Sequence, residues 1–120
     1  MKEVLFIEYP KCTTGQKAKK WLKEHKINFI DRHIVDENPT KEELTRWIVE
    51  SEIPVKSFFN TSGILYKQNN LKEKLETMEL SEKIELLASN GMLVKRPLII
   101  TEDTVLIGFK EKQWEQALLK

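Results

Sequence analysis

Residues 4–26 change hydrophobic period once, and that change constrains the fold more than any other feature. Val4-Leu5-Phe6-Ile7-Glu8 is a short apolar run rich in β-formers, and it predicts a strand. Pro10 cannot continue a central strand, so Tyr9-Pro10-Lys11-Cys12 predicts a loop. From Thr13 to about Lys26 the apolar residues move to helical spacing. Ala18, Trp21, Leu22 and His25 fall at i, i+3, i+4 and i+7, with lysines between them. Ile27 to Ile34 predicts a second strand, interrupted by Asp31 and Arg32. Strand, helix and strand in this order give a parallel pair joined by a right-handed crossover.

The end of the chain has the complementary order. Leu98-Ile99-Ile100 and Val105-Leu106-Ile107 are apolar runs separated by Thr101-Glu102-Asp103-Thr104, which predicts a hairpin. Gln113 to Leu119 predicts a closing helix, with Trp114, Ala117 and Leu118 on one side. Between the two ends lies a helical block. Asp36-Glu37-Asn38-Pro39 is a turn cluster, and Thr40-Lys41-Glu42-Glu43 has the form of a capping box. Leu44, Trp47 and Ile48 give the next helix its apolar face, and Pro54 ends it. Leu71 to Met78 and Ser81 to Ser89 predict two more helices. Asn90-Gly91 predicts a stop, with Gly91 free to take positive φ. The expected fold class is α/β: a four-stranded mixed sheet flanked by helices, with a helical insertion. Residues 1–37 and 95–120 form the core and residues 38–94 the insertion.

The 120 residues fit one domain. A hydrophobic fraction of 40% against 32% charged suits a globular chain, and a net charge of +1 gives no electrostatic case for binding nucleic acid directly. No run of 18 apolar residues is present to cross a membrane, and the apolar start is too short for a signal peptide. The expected location is the cytoplasm. His25 and His33 have no ligand-like spacing with Cys12, and His25 is expected to pack on the apolar helix face. No metal motif is found.

One cysteine in 120 residues excludes a disulfide within them. Any thiol cycle needs a second molecule. A lone cysteine is often a small buried hydrophobe. Here the strand-Pro-x-Cys-helix setting places Cys12 at a helix start, where free amides and the helix dipole favour a thiolate. The same amides, with the Thr13 and Thr14 hydroxyls, suit an oxyanion. Phe58-Phe59-Asn60-Thr61-Ser62-Gly63 reads as a turn or as an anion-binding nest. On its residues alone, Arg96-Pro97 reads as a surface arginine ahead of a proline that opens a strand.

Taken together, Tyr9-Pro10-Lys11-Cys12-Thr13-Thr14-Gly15, Phe59-Asn60-Thr61-Ser62-Gly63, Lys95-Arg96-Pro97-Leu98-Ile99-Ile100 and Val105-Leu106-Ile107-Gly108-Phe109 resemble the ArsC/Spx family. The resemblance covers nearly the whole chain. It implies a thioredoxin-like fold with a helical insertion. It also implies that Cys12 is the redox or arsenate-attacking thiol and that Arg96 faces it beside a cis Pro97. That family includes glutaredoxin-coupled arsenate reductases and Spx-type regulators that bind RNA polymerase.

The chain departs from both branches. Glu8 stands where the reductases carry a histidine, and a carboxylate pointing inward there opposes thiolate and oxyanion alike. Of their three arginines, Arg96 matches one and Asn60 replaces another. The third falls near Gly108-Phe109-Lys110, where Lys110 or Lys56 offers an ammonium in place of a guanidinium fork. Gly15 occupies the second position of the regulators' CxxC pair. The resemblance implies a thiol oxidoreductase with no bound cofactor. Its substrate would be a small oxyanion or an oxidised thiol, and glutathione, another thiol, a glutaredoxin or a thioredoxin would resolve Cys12. The alternative is a non-catalytic regulator that docks on RNA polymerase.

Overall fold

A computed structural model describes residues 3–119. Its elements are β1 (Val4–Glu8), α1 (Thr13–Glu24), β2 (Phe29–His33), α2 (Lys41–Ser51), α3 (Ile64–Gln68), α4 (Leu71–Lys74), α5 (Leu80–Ser89), β3 (Leu98–Ile100), β4 (Val105–Ile107) and α6 (Glu111–Leu118). Short 3₁₀ turns occupy Val55–Phe58, Leu75–Thr77 and Gly91–Leu93. The chain divides into two units, Met1–His33 with Arg96–Lys120, and Ile34–Lys95.

The first unit is the sheet. Its strand order is β2-β1-β3-β4. β1 runs parallel to β2, with Phe6 opposite Asp31 and Glu8 opposite His33. β3 lies antiparallel to β1, and β4 antiparallel to β3. This is the mixed sheet that the order of elements predicts and the thioredoxin-like arrangement that the resemblance implies.

Side chains alternate across a strand and recur every three to four residues on a helix, so the two periods meet on one face. Val4 and Phe6 of β1, Ile99 of β3 and Leu106 of β4 pack with Ala18, Trp21 and Leu22 of α1 and Trp114 of α6. Trp114 is fully buried, and its Nε1–H donates to the Gly108 carbonyl at 3.1 Å. Its ring meets Trp21 edge-on at 5.6 Å and Phe109 at 4.8 Å. Gly108 has φ 74°, a left-handed conformation that favours glycine.

The second unit is helical. Thr40 and Glu43 form the expected capping box, with the Glu43 amide donating to Thr40 Oγ1 at 3.1 Å. Glu82 caps α5 in the same way by accepting from the Glu79 amide at 3.0 Å. Helix α2 ends three residues before Pro54, where Glu52 takes a left-handed φ of 59°. Leu44, Trp47 and Ile48 are buried, as are Ile84 and Leu87 of α5, and the two helices pack together.

The elements differ from the expected ones in several details. β2 is shorter, because Ile27 closes the turn after α1 by donating its amide to the Leu22 carbonyl at 3.0 Å. The stretch from Leu71 tightens into a 3₁₀ turn at Leu75. His25 is exposed at the end of α1, but its ring packs on Trp21 at 4.1 Å, on the apolar helix face as expected. Gly91 does not take positive φ. It starts a 3₁₀ turn, and a β-carbon there would lie 1.9 Å from the Ile34 carbonyl oxygen.

Close backbone approach therefore requires glycine at position 91. Gly91→Ala forces the backbone apart and should cost about 1–3 kcal/mol, read as a lower urea midpoint. An unchanged midpoint contradicts this account of Gly91.

Candidate functional site

The loop between β1 and α1 holds Cys12 by short-range hydrogen bonds. The Cys12 amide donates to the Tyr9 carbonyl at 2.9 Å, which closes a turn around Pro10. The Gln16 amide donates to the Cys12 carbonyl at 3.1 Å, and Gln16 Nε2 donates to the Pro10 carbonyl at 2.9 Å. Cys12 itself is the N-cap of α1, with extended backbone at φ −84° and ψ 123°. The thiol is half-buried.

Three donors converge on the sulfur. Burial pushes the thiol's pKa up, but hydrogen bonds from the Gly15 and Thr14 amides and from the Arg96 side chain oppose it. The positive charge of Arg96 adds to them, and the thiol settles below its ordinary value. These amides are orphan donors of a helix's first turn, which have no carbonyl partner inside the helix. The amides acting on the sulfur are those of Thr14 and Gly15. The Thr13 and Thr14 side chains are exposed.

Arg96 arrives from the other end of the chain. Its peptide bond to Pro97 is cis. The guanidinium carbon sits 4.9 Å from the centroid of the Tyr9 ring, within the range of a cation–π contact. The Tyr9 ring meets His33 edge-on at 5.8 Å. Tyr9 thus holds Arg96 from the same turn that presents Cys12. No local pattern signals this role of Tyr9 beyond its place in the loop.

Glu8 points inward. It is 3% exposed, and Lys19 Nζ lies 3.3 Å from its Oε2. Lys19 also pairs with Asp31 of β2. Burial raises the pKa of Glu8, and a hydrogen bond with Asp31 and the Asp31 charge raise it further against the pull of Lys19. Burial acts on Asp31 in the same direction, but hydrogen bonds from Glu8 and Lys19 outweigh it and lower the Asp31 value.

The other candidate residues are placed less directly. Asn60 belongs to the Ile34–Lys95 unit. There its amide donates to the Leu93 carbonyl at 2.8 Å, and its Oδ1 accepts from Ser62 Oγ at 3.3 Å. Its carbonyl accepts from the Gly63 amide at 3.0 Å, so the segment is a turn whose polar groups satisfy one another. Lys110 is the N-cap of α6, with its carbonyl accepting from the Trp114 amide at 3.0 Å and its side chain exposed. Among the described residues no cluster of three His, Cys, Asp or Glu could hold a metal ion.

The sequence profile of the ArsC family matches residues 7–117. The chain belongs to the ArsC family. It is 51% identical to the Bacillus subtilis protein YusI over 92% of this chain and 94% of that one. It is 32% identical to the global transcriptional regulator Spx of Enterococcus faecalis, over 87% of this chain and 77% of that one. Among solved structures, an ArsC family related protein from Bacteroides fragilis is 57% identical, with a TM-score of 0.92 over 96% of this chain and 97% of that one. A possible arsenate reductase from Streptococcus mutans is 36% identical, with a TM-score of 0.86 over 93% and 97%.

The charge balance at Cys12 makes two measurable predictions. Arg96→Met removes one hydrogen bond and one positive charge, so alkylation of Cys12 near pH 7 should slow roughly three- to tenfold. An unchanged rate contradicts the role given to Arg96. A thiol whose folded pKa is lowered stabilises the fold above its unfolded value, and that contribution is lost as pH falls through the folded value. Relative to Cys12→Ser, the wild type should therefore gain stability as pH rises toward the unfolded thiol value of about 8.5. Parallel stability curves would contradict it.

Proposed function

We propose that this chain is a one-cysteine thiol oxidoreductase in which Cys12 is the nucleophile and an external thiol resolves the adduct. The observation that carries the reading is the convergence of two helix-start amides and Arg96 on the Cys12 sulfur. A thiolate is the reactive form, and it attacks a sulfur of an oxidised thiol substrate. The S–S bond of the substrate breaks, its other half leaves as a thiolate, and Cys12 is left in a mixed disulfide. A second thiol, such as glutathione or the thiol of a glutaredoxin-type protein, then attacks that disulfide and restores Cys12. The electrons come from the external thiols, because these residues contain no second cysteine. The same donors suit an oxyanion such as arsenate, and the likeness to the Streptococcus mutans protein supports that substrate class.

The likeness to Spx favours a second reading, a protein-binding regulator that docks on RNA polymerase without turnover. Catalysis separates the two. Supplied with a low-molecular-weight disulfide or with arsenate, and with glutathione and glutaredoxin, the wild type should consume glutathione catalytically. The Cys12→Ser variant should not. No turnover of either substrate above the Cys12→Ser level, together with retention of polymerase subunits on the immobilised chain, would replace the first reading with the second.

A further inference from the structure

Glu8 is the only charged side chain buried among the described residues. Its two oxygens face different groups. Oε2 pairs with Lys19 at 3.3 Å. Oε1 lies 3.6 Å from the point where a β-carbon on Gly15 would stand. The Gly15 amide is one of the two that hold the Cys12 sulfur. The carboxyl group thus lies close to the glycine whose amide stabilises the thiolate.

The parallel register explains how the cluster is assembled. Glu8 stands opposite His33 and Phe6 opposite Asp31, so Glu8 and Asp31 lie on the same face of neighbouring strands. Lys19 comes from the helix that covers that face and reaches both acids. Two carboxyl groups share one ammonium. Asp31 is about a third exposed while Glu8 is nearly closed off, so water supports the charge on Asp31 and the proton stays longer on Glu8. Other charged or titratable groups surround the cluster. Tyr9 follows Glu8 on β1, and His33 stands beside the Tyr9 ring from β2. Lys23 on α1 acts on Asp31, and Arg96 lies over Tyr9.

We propose that Glu8 is a positioning residue that restrains the Cys12 thiolate from its place beside Gly15, and that Lys19 sets the strength of that restraint. At low pH Glu8 holds its proton against Asp31, and the amides face a neutral group. Once Glu8 is ionised, its negative charge opposes the thiolate held by the Gly15 amide. Lys19 offsets part of that charge. The inference rests on Cys12 being the working thiol, but its readout is the ionisation of Cys12 and needs no turnover.

The test is the pH dependence of Cys12 alkylation by iodoacetamide in four full-length chains: wild type, Glu8→Gln, Lys19→Met and the double variant. Glutamine keeps the shape of Glu8 and can donate to Asp31, so the fold should be retained. The expected result is a lower midpoint in Glu8→Gln, with alkylation near neutral pH faster by roughly three- to tenfold. Lys19→Met should raise the midpoint, and should raise it less when Glu8 is already glutamine. An unchanged midpoint in Glu8→Gln overturns the proposal, and so does an equal effect of Lys19→Met in both backgrounds. Shifted midpoints without turnover of a disulfide or of arsenate would keep this inference and remove the oxidoreductase reading.

Discussion

Everything at the site depends on how closely the first turn of α1 approaches the end of β1. A β-carbon on Gly15 would meet the Tyr9 carbonyl oxygen at 3.4 Å and the Glu8 side chain at 3.6 and 3.7 Å. The helix start therefore lies within ordinary van der Waals reach of the strand end, and the turn between them takes the course set by the bond from the Cys12 amide to the Tyr9 carbonyl. That course puts the Cys12 sulfur in front of the free amides. Ala18, Trp21 and Leu22 hold the helix in place by burying its apolar face against Phe6 and Val4. The geometry of the thiol is thus a consequence of core packing, and the loop itself contributes little more than its backbone hydrogen bonds.

The electrostatics follow from this placement. Burial alone would keep Cys12 protonated, since a charge in a poorly solvated place is costly. The amides and Arg96 reverse the balance. Arg96 can do so because it comes from a distant part of the chain and is held over Tyr9. Glu8, the charge proposed to pull the other way, is itself paired with Lys19. A handful of opposing charges around one sulfur gives an acidity that single substitutions can move in either direction. Such tuning suits a thiol that must both attack and leave.

Much of this was legible in the chain. The β-α-β and β-β-α orders follow from period changes at Pro10 and near Gln113, because buried faces impose those periods. Cys12 was legible as a helix start for the same reason. Other features depend on contacts between residues far apart in sequence, which no local pattern encodes. The stacking of Arg96 on Tyr9 is one, and the Glu8–Lys19–Asp31 cluster is another. The place of Gly91 was misread because a glycine after a helix has two uses, and here close approach to Ile34 outweighs the freedom to take positive φ. Helix α3 escaped notice because Ile64–Gln68 is too short to display a period, and its Ile64 is exposed.

The central claim is that the fold holds the Cys12 thiol below its ordinary pKa. The most direct measurement is a pH titration of thiolate absorbance in the reduced wild-type protein, whose one cysteine makes the signal unambiguous. A midpoint clearly below the free-thiol reference of about 8.5 is the result predicted by the amide and guanidinium donors. A midpoint at or above that reference would mean that burial and Glu8 prevail, and the account of Cys12 as a working nucleophile would fail.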